Sequence, residues 1–472
     1  MSEAIFSAIF LVPVLWEAFR QARAIKIDGQ LLLSLSFSIV YGYTGLTYFF
    51  SENSSGYLIR DGQAITVSVV CATSYLFAIL GYWLGKQIAA RRTQNRAITG
   101  PDCRFEDYLA IKWASCAAYA IALISLAIYS SSYGGFDNAF RFAAKIRAGY
   151  GENLLIGSGE LLFFKNLIPL SVYLPILYFA LYARRRKLFD LLVAIVSISV
   201  PIAGFLLMSG RGRIVAFIIM IVACAIAFAP ARKRNPAFLF VLGPFTLLLL
   251  DLFVTFGKKF FSSFYRDHVN WSDVFVLSDY VPFKAFTDYY EHRITSIDSA
   301  LSASEQSYTY FYDFISIPLF VLPHKLTGIV EPESISYLNT YLQTGVWDSM
   351  VPPGIAAYGI YSFGIFGVVI AGVVFGFLPG LLDGVNSREG TAGNPRVFFR
   401  IPLILIWIVY LFQGDPRVLS VHLTPVLMFG AIYYFAQKAV AKKDRRSSTQ
   451  LFDGIKNRRV LQGVAGFGHY RT

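Results

Sequence analysis

Arg211 and Arg213 stand two residues apart in the run MSGRGRIVAFIIM, at the junction of two apolar stretches. Guanidinium groups suit bidentate contacts to phosphate oxygens. Gly210 and Gly212 let a ligand approach the backbone closely. If this turn opens a helix, its first N–H groups and the helix dipole also favour an anion. The chemistry this spacing points to is recognition of a pyrophosphate. The plainer reading is that both arginines snorkel to lipid headgroups.

Further candidates lie in three other places. Arg141, Lys145 and Arg147 sit in SSYGGFDNAFRFAAKIRAGY. Arg141 and Lys145 are spaced i, i+4 and would share a helix face, while Arg147 would point elsewhere. They make either a second anion contact or an amphipathic helix lying on anionic lipid. Segment 257–354 holds His268, His292 and His324, the carboxylates Glu291 and Glu331, and the cations Lys284 and Arg293. Histidines and carboxylates are the usual general bases. Its aromatics, among them Tyr265, Trp271, Tyr280, Tyr289 and Tyr290, suit stacking on sugar rings. A segment of this length also collects such residues by chance. In QGDPRV, Asp415 and Arg417 either pair with each other or face a site. No HExxH, CxxC or phosphate-loop pattern occurs, so neither a metal nor a nucleotide is expected.

These residues must be positioned by membrane helices. Hydrophobic residues make up 56% of the 472 and charged residues 15%, against about 25% charged in a soluble domain. Such a chain cannot coat a water-facing surface of its own size. Apolar runs at roughly 4–19, 30–50, 63–85, 108–130, 161–182, 189–209, 213–230, 237–256, 355–383, 397–412 and 418–437 predict about 11 spanning helices by the ~20-residue criterion. The runs are continuous rather than alternating, which excludes a barrel. The N-terminal run, with Glu3 near its start and no basic flank before it, is expected to be a first span rather than a cleaved signal. The balance of 42 Lys+Arg against 29 Asp+Glu, net +13, would suggest nucleic acid in a soluble protein. Here much of the excess lies in short loops. Arg20, Arg23 and Lys26, then Lys86, Arg91, Arg92 and Arg96, then Arg184 to Lys187, Arg232 to Arg234, and Lys442 to Arg446 all fall on one side of an 11-span topology. That side is assigned to the cytoplasm, with the C-terminal tail 438–472.

On that topology Arg211, Arg213, Arg141, Lys145, Arg147 and Arg417 lie on the outer side, where cations are disfavoured, which argues for a role there. The organisation expected is N-terminal helices over 1–256 with a smaller outer loop at 131–160, a large outer loop at 257–354 folded as short helices broken at Pro282, Pro318 and Pro323, and C-terminal helices over 355–437. Glycines at 354, 359, 364, 367, 372 and 376 recur through the ninth run, where ordinary close helix packing is the simplest reason for most of them. Ionisable residues inside the spans are few, which argues against an ion-coupled transporter with intramembrane carboxylates or broken helices.

The layout resembles the Wzy-type polymerases of O-antigen and oligosaccharide repeat units. The similarity lies in MSGRGRIVAFII after a membrane helix, in the large penultimate outer loop, in its exit PPGIAAYGIYSFGIFGVVIAGVVFG, and in the arginine-bearing SSYGGFDNAFRFAAKIRAGY. The resemblance implies an all-α, GT-C-like polytopic glycosyltransferase in the bacterial inner membrane, with its large loop in the periplasm. It implies undecaprenyl-pyrophosphate-linked glycans as substrates, no metal or other cofactor, no nucleic acid, membrane lipid around it and a chain-length regulator as partner. On this reading Arg211 and Arg213 hold the pyrophosphate, and Arg141, Lys145 and Arg147 contact the second lipid-linked substrate. Lys284, Arg293 and Arg417 add further substrate contacts. His324, His292 and Glu331 are candidates for the base that deprotonates the acceptor hydroxyl. An O-antigen ligase shares the architecture and stays open as an alternative, as does, more remotely, a lipid-linked oligosaccharide transporter.

Overall fold

A backbone in hydrocarbon must satisfy its own N–H and C=O groups, so continuous apolar runs become helices. The computed structural model describes residues 1–23, 27–50, 59–60, 62–94, 105–143, 159–208, 211–228, 248, 251–252, 255–257, 276, 280–282, 284–303, 308–317, 334–347, 350–386, 397–419 and 422–441. The protein is an all-α polytopic membrane protein, with no strand among the described residues. Its helices are α1 (Ser2–Ala22), α2 (Gly29–Phe50), α3 (Ala64–Arg91), α4 (Tyr108–Ser131), α5 (Phe136–Arg141), α6 (Leu161–Arg185), α7 (Leu188–Leu207), α8 (Arg211–Phe228), α9 (Lys284–Tyr290), α10 (His292–Ser302), α11 (Tyr312–Ile315), α12 (Ile335–Thr344), α13 (Gly354–Asn386), α14 (Val397–Leu411) and α15 (Pro416–Ala441). Among the described residues, eight are long and apolar enough to cross a membrane (α1 to α4, α6, α7, α13 and α15), and α8 and α14 are shorter apolar helices. The run at 237–256 lies almost entirely outside the described residues.

Helix ends that the basic loops put on one side do meet. Asp28 caps α2 by accepting from Leu31 N–H at 3.0 Å and also accepts from Arg20 of α1, and Arg20 pairs with Glu17. Asp383 of α13 accepts from Gly29 N–H at 2.5 Å and from Tyr82 hydroxyl at 3.0 Å, and pairs with Arg400 of α14 at 3.6 Å. Arg184 donates to Tyr108 at 2.8 Å and packs on Phe228. This is the basic-loop end of the bundle; the opposite end is called the far end below.

Helices α3 and α13 run side by side in the same direction. A Cβ on Gly81 or Gly85 would strike the carbonyls of Val373 and Phe377. One on Gly376 or Gly380 would strike those of Ala78 and Tyr82. Small residues four apart let two backbones touch where lipid gives no hydrophobic drive to associate. Gly372 and Gly376 therefore serve helix packing, and Gly81, Gly85, Gly380 and Gly384 extend the same seam.

The ninth run is not one straight helix. Phe363 and Gly364 leave helical geometry, Gly364 with φ +60° and ψ −150°. Gly359 and Gly367 would lie about 12 Å apart along a straight helix. Instead their backbones are in contact, so the chain doubles back. A short limb, 354–362, is thus folded against a long limb, 365–386. Backbone groups at both ends of the short limb find internal partners. Gly354 N–H donates to Gln413 C=O at 2.9 Å, and Ala356 N–H to the Tyr41 hydroxyl at 3.4 Å. The carbonyls of Tyr361 and Ser362 accept from Thr309 and Tyr310 N–H at 3.1 and 2.9 Å.

The large loop does form short helices, α9 to α12, but α10 is not laid on the membrane face. Arg293, Ile294, Thr295, Ser296, Ile297, Asp298 and Ala300 are buried, and α10 packs against α3, α12 and α13. Polar side chains make this possible. Ser296 Oγ accepts from Asn339 at 3.0 Å and Gln343 at 2.8 Å. Asn339 accepts from the Tyr361 hydroxyl at 2.9 Å and donates to Val351 C=O at 2.8 Å. These bonds pair the Ser296 hydroxyl and the Asn339 amide inside the bundle, as a low-dielectric interior favours. The break in α13 is not foreseen by the sequence, and the buried acids Glu17, Asp190 and Asp383 sit near the basic-loop ends of their helices.

Candidate functional site

Arg211 opens α8, as the sequence predicts; its side chain lies outside the described residues. Arg213 is half-buried one turn into the membrane helix. Its guanidinium donates to the Met208 thioether and comes within electrostatic range of Tyr129 on α4. Arg213 and Lys165 both act electrostatically on the His422 imidazole. The far ends of α4, α6, α8 and α15 therefore put Tyr129 within electrostatic range of Arg213, and Arg213 and Lys165 within range of His422. Arg417 opens the same helix as His422, with its N–H donated to Asp415 at 3.0 Å. Asp415 also accepts from the Ser334 and Ser336 hydroxyls, each at 2.6 Å. This anchors the Gln413–Arg417 turn to α12.

Lys165 and His422 were not singled out in the sequence. The signal available was a lone cation in the apolar run LLFFKNLIPL and a lone histidine in VLSVHLTPVL. Neither has motif spacing. Only the packing of helices far apart in the chain makes them neighbours.

The large loop reaches the same region through α9 and α10. The Tyr289 hydroxyl lies 4.0 Å from where a Cβ on Gly212 would stand, between Arg211 and Arg213. Tyr289 is edge-on to His292, ring centroids 6.3 Å apart. His292 is mostly buried, and its Nε2 has no hydrogen-bond partner among the described residues. Burial and the adjacent Arg293 hold the imidazole well below its ordinary value, so it is neutral near pH 7. Glu291 is 5% exposed. Burial and nearby Asp288 push its carboxyl up to about 7.

Arg293 corrects an expectation. It is 2% exposed, donates to Phe412 C=O at 3.3 Å and Tyr289 C=O at 3.2 Å, and stacks over Tyr290 at 4.5 Å and Tyr289 at 5.4 Å. Its stem packs on Gly354. It is an internal brace, not an open substrate contact, because the residues it joins lie far apart in sequence and enclose it only once folded. Lys284 is exposed at the start of α9. Arg141 is exposed and ion-paired with Asp137 at 3.0 Å one turn away. Lys145, Arg147, His324 and Glu331 lie outside the described residues. No group of three or more His, Cys, Asp or Glu among the described residues could hold a metal ion.

The arrangement is suited to binding an oxyanion at the far end, because Arg213 and Lys165 both act on one imidazole and an anion there is attracted by both. A neutral imidazole stands beside it. No protein-family model, curated protein or solved structure matches the chain.

Proposed function

We propose that this protein polymerises undecaprenyl-pyrophosphate-linked oligosaccharide repeat units at the outer face of a bacterial inner membrane, as a GT-C-like glycosyltransferase with 11 or so spans. The far end of the bundle is then the outer face and the C-terminal tail is cytoplasmic. The observation that carries this reading is that Arg213 of the apolar helix α8 and Lys165 of the spanning helix α6 both act on His422 of the spanning helix α15, with Tyr289 of the large loop beside Gly212. The acceptor hydroxyl attacks the anomeric carbon of the growing glycan. The bond from that carbon to the lipid pyrophosphate breaks, and the pyrophosphate leaves with the electron pair. Its charge is stabilised by the cations already in place. The hydroxyl proton passes to a base. Among the described candidates His292 lies beside Tyr289 with an Nε2 that meets no partner among the described residues, and His324 and Glu331 remain candidates by position in the loop.

A transporter gains some support from the broken α13 and from buried Asp383, features that such proteins use. Against it, the carbonyls just before the break are taken up by Thr309 and Tyr310, and the first N–H groups of the short limb by Gln413 and Tyr41.

The test is the surface glycan ladder of a deletion strain complemented with wild type or with Arg213→Ala. The polymerase reading expects single repeat units in the deletion, a full ladder with wild type, and a ladder shortened or lost with Arg213→Ala. Accumulation of lipid-linked polymer with no surface glycan would replace it with a ligase. An unchanged ladder in the deletion would sink both enzyme readings.

A further inference from the structure

We propose that Tyr289 is a direct contact to the diphosphate held by the cation cluster, and that Arg293 is the positioning residue that aims it. The inference rests on the reading of the Arg211–Arg213 turn as a phosphate site.

Three observations carry it. The Tyr289 side chain is 45% exposed, and among the described residues its hydroxyl makes no hydrogen bond. That hydroxyl stands beside Gly212, where the absence of a side chain leaves the turn open to it. Its ring is held on several sides: Arg293 lies over it at 5.4 Å, Tyr290 meets it edge-on at 4.9 Å, and His292 meets it edge-on at 6.3 Å. Arg293 also fixes the Tyr289 backbone through its 3.2 Å bond to the carbonyl. Arg293 is in turn gripped by Phe412 C=O and by Gly354 at the start of the short limb of α13.

A buried guanidinium with its donors turned to carbonyls does not itself reach the ligand. What it does is hold an exposed phenol rigidly at the turn. A phenol O–H donates to a phosphate oxygen without adding charge, and a hydrogen bond to a charged group is among the stronger ones. The large loop and the arginine turn would thereby grip one diphosphate from two sides. The braces of Arg293 also tie that grip to the break in α13 and the Gln413 turn.

The test uses the full chain in lipid nanodiscs, titrated calorimetrically with inorganic pyrophosphate and, separately, with farnesyl diphosphate. Tyr289→Phe keeps the ring and its stacking but removes the donor; it is expected to weaken binding by about tenfold or more. Loss with both ligands marks recognition of the diphosphate itself. Loss with farnesyl diphosphate alone marks a lipid-borne one. Arg293→Lys is expected to weaken binding to a similar extent, and the double variant to be no weaker than Tyr289→Phe. A further loss in the double variant would show that Arg293 does not act through Tyr289. If Arg213→Ala weakens binding and Tyr289→Phe does not, the Tyr289 inference fails alone. If wild type binds neither ligand, or Arg213→Ala changes nothing, the phosphate-site reading fails and this inference with it.

Discussion

Glu291 and His292 are neighbours in the chain whose protonation is pushed in opposite senses by the same buried setting. Burial disfavours the charged form of each, so the carboxyl rises to about 7 and the imidazole falls well below 6.5. Between pH 4.5 and about 7 the folded protein holds a proton on Glu291 that the unfolded chain has released, so this residue makes stability fall as pH rises through that window. Below about 6.5 the unfolded chain protonates His292 and the folded protein does not, so this residue makes stability fall as pH drops. The two effects oppose each other where the windows overlap. Glu291→Gln is therefore expected to melt higher than wild type at pH 8, and His292→Gln to melt higher near pH 5. Thermal unfolding of each variant from pH 4.5 to 8 checks both; parallel curves for variant and wild type would show that neither group titrates as described. At this scale the sequence was partly readable. His292 and Arg213 stand out by type and place, whereas Arg293 looked like a substrate contact. Its burial depends on Phe412, Gly354 and Tyr290 surrounding it, and no spacing in the chain announces that.

Among the elements, α13 shows where pattern reading stops. Its long apolar run with repeated glycines reads as a single span, and the four-residue spacing of Gly372, Gly376, Gly380 and Gly384 does serve the seam with α3. Gly364 serves something else. Its φ of +60° and ψ of −150° lie in a region open essentially to glycine alone. A Cβ there would also stand 3.2 Å from the Tyr308 hydroxyl. Gly364→Ala is expected to destabilise the protein by about 1–3 kcal/mol, read as a lowered melting temperature of the purified protein. An unchanged melting temperature would mean that the reversal is not held there. Composition could not single out this glycine, since its neighbours Gly359 and Gly367 look the same in sequence and are helical. The large loop was predicted as short helices, and it forms them. That α10 enters the bundle was hidden, because its buried face carries polar residues among the apolar ones: Ser296 and Arg293 are accommodated by partners on α9, α12, α13 and at Phe412.

For the molecule as a whole, the hydrogen bond that crosses the greatest sequence distance among the described residues, Gly29 N–H to Asp383, lies at the basic-loop end. Asp383 gathers Gly29 N–H, the Tyr82 hydroxyl and the Arg400 guanidinium from three other helices. Asp383→Ala leaves a buried cation, a hydroxyl and an N–H without their shared acceptor, at an expected cost of about 3–5 kcal/mol. Asp383→Asn keeps one acceptor oxygen and is expected to be milder. Detergent-solubilised variants compared by thermal unfolding decide this; equal stability of Ala, Asn and wild type would show that the junction holds nothing together. The membrane class, the runs that become helices among the described residues and the described helix ends that meet beside the basic loops were legible in the sequence itself. Hydrocarbon leaves a backbone no partner but its own, so apolar length and loop charge suffice to determine them. The doubling back of α13, the burial of α10, the bracing role of Arg293 and the meeting of Lys165 and His422 with Arg213 were decided only by the tertiary structure. Each depends on which helices pack together, and in lipid that choice rests on close fit and buried polar partners, neither of which leaves a period in the chain.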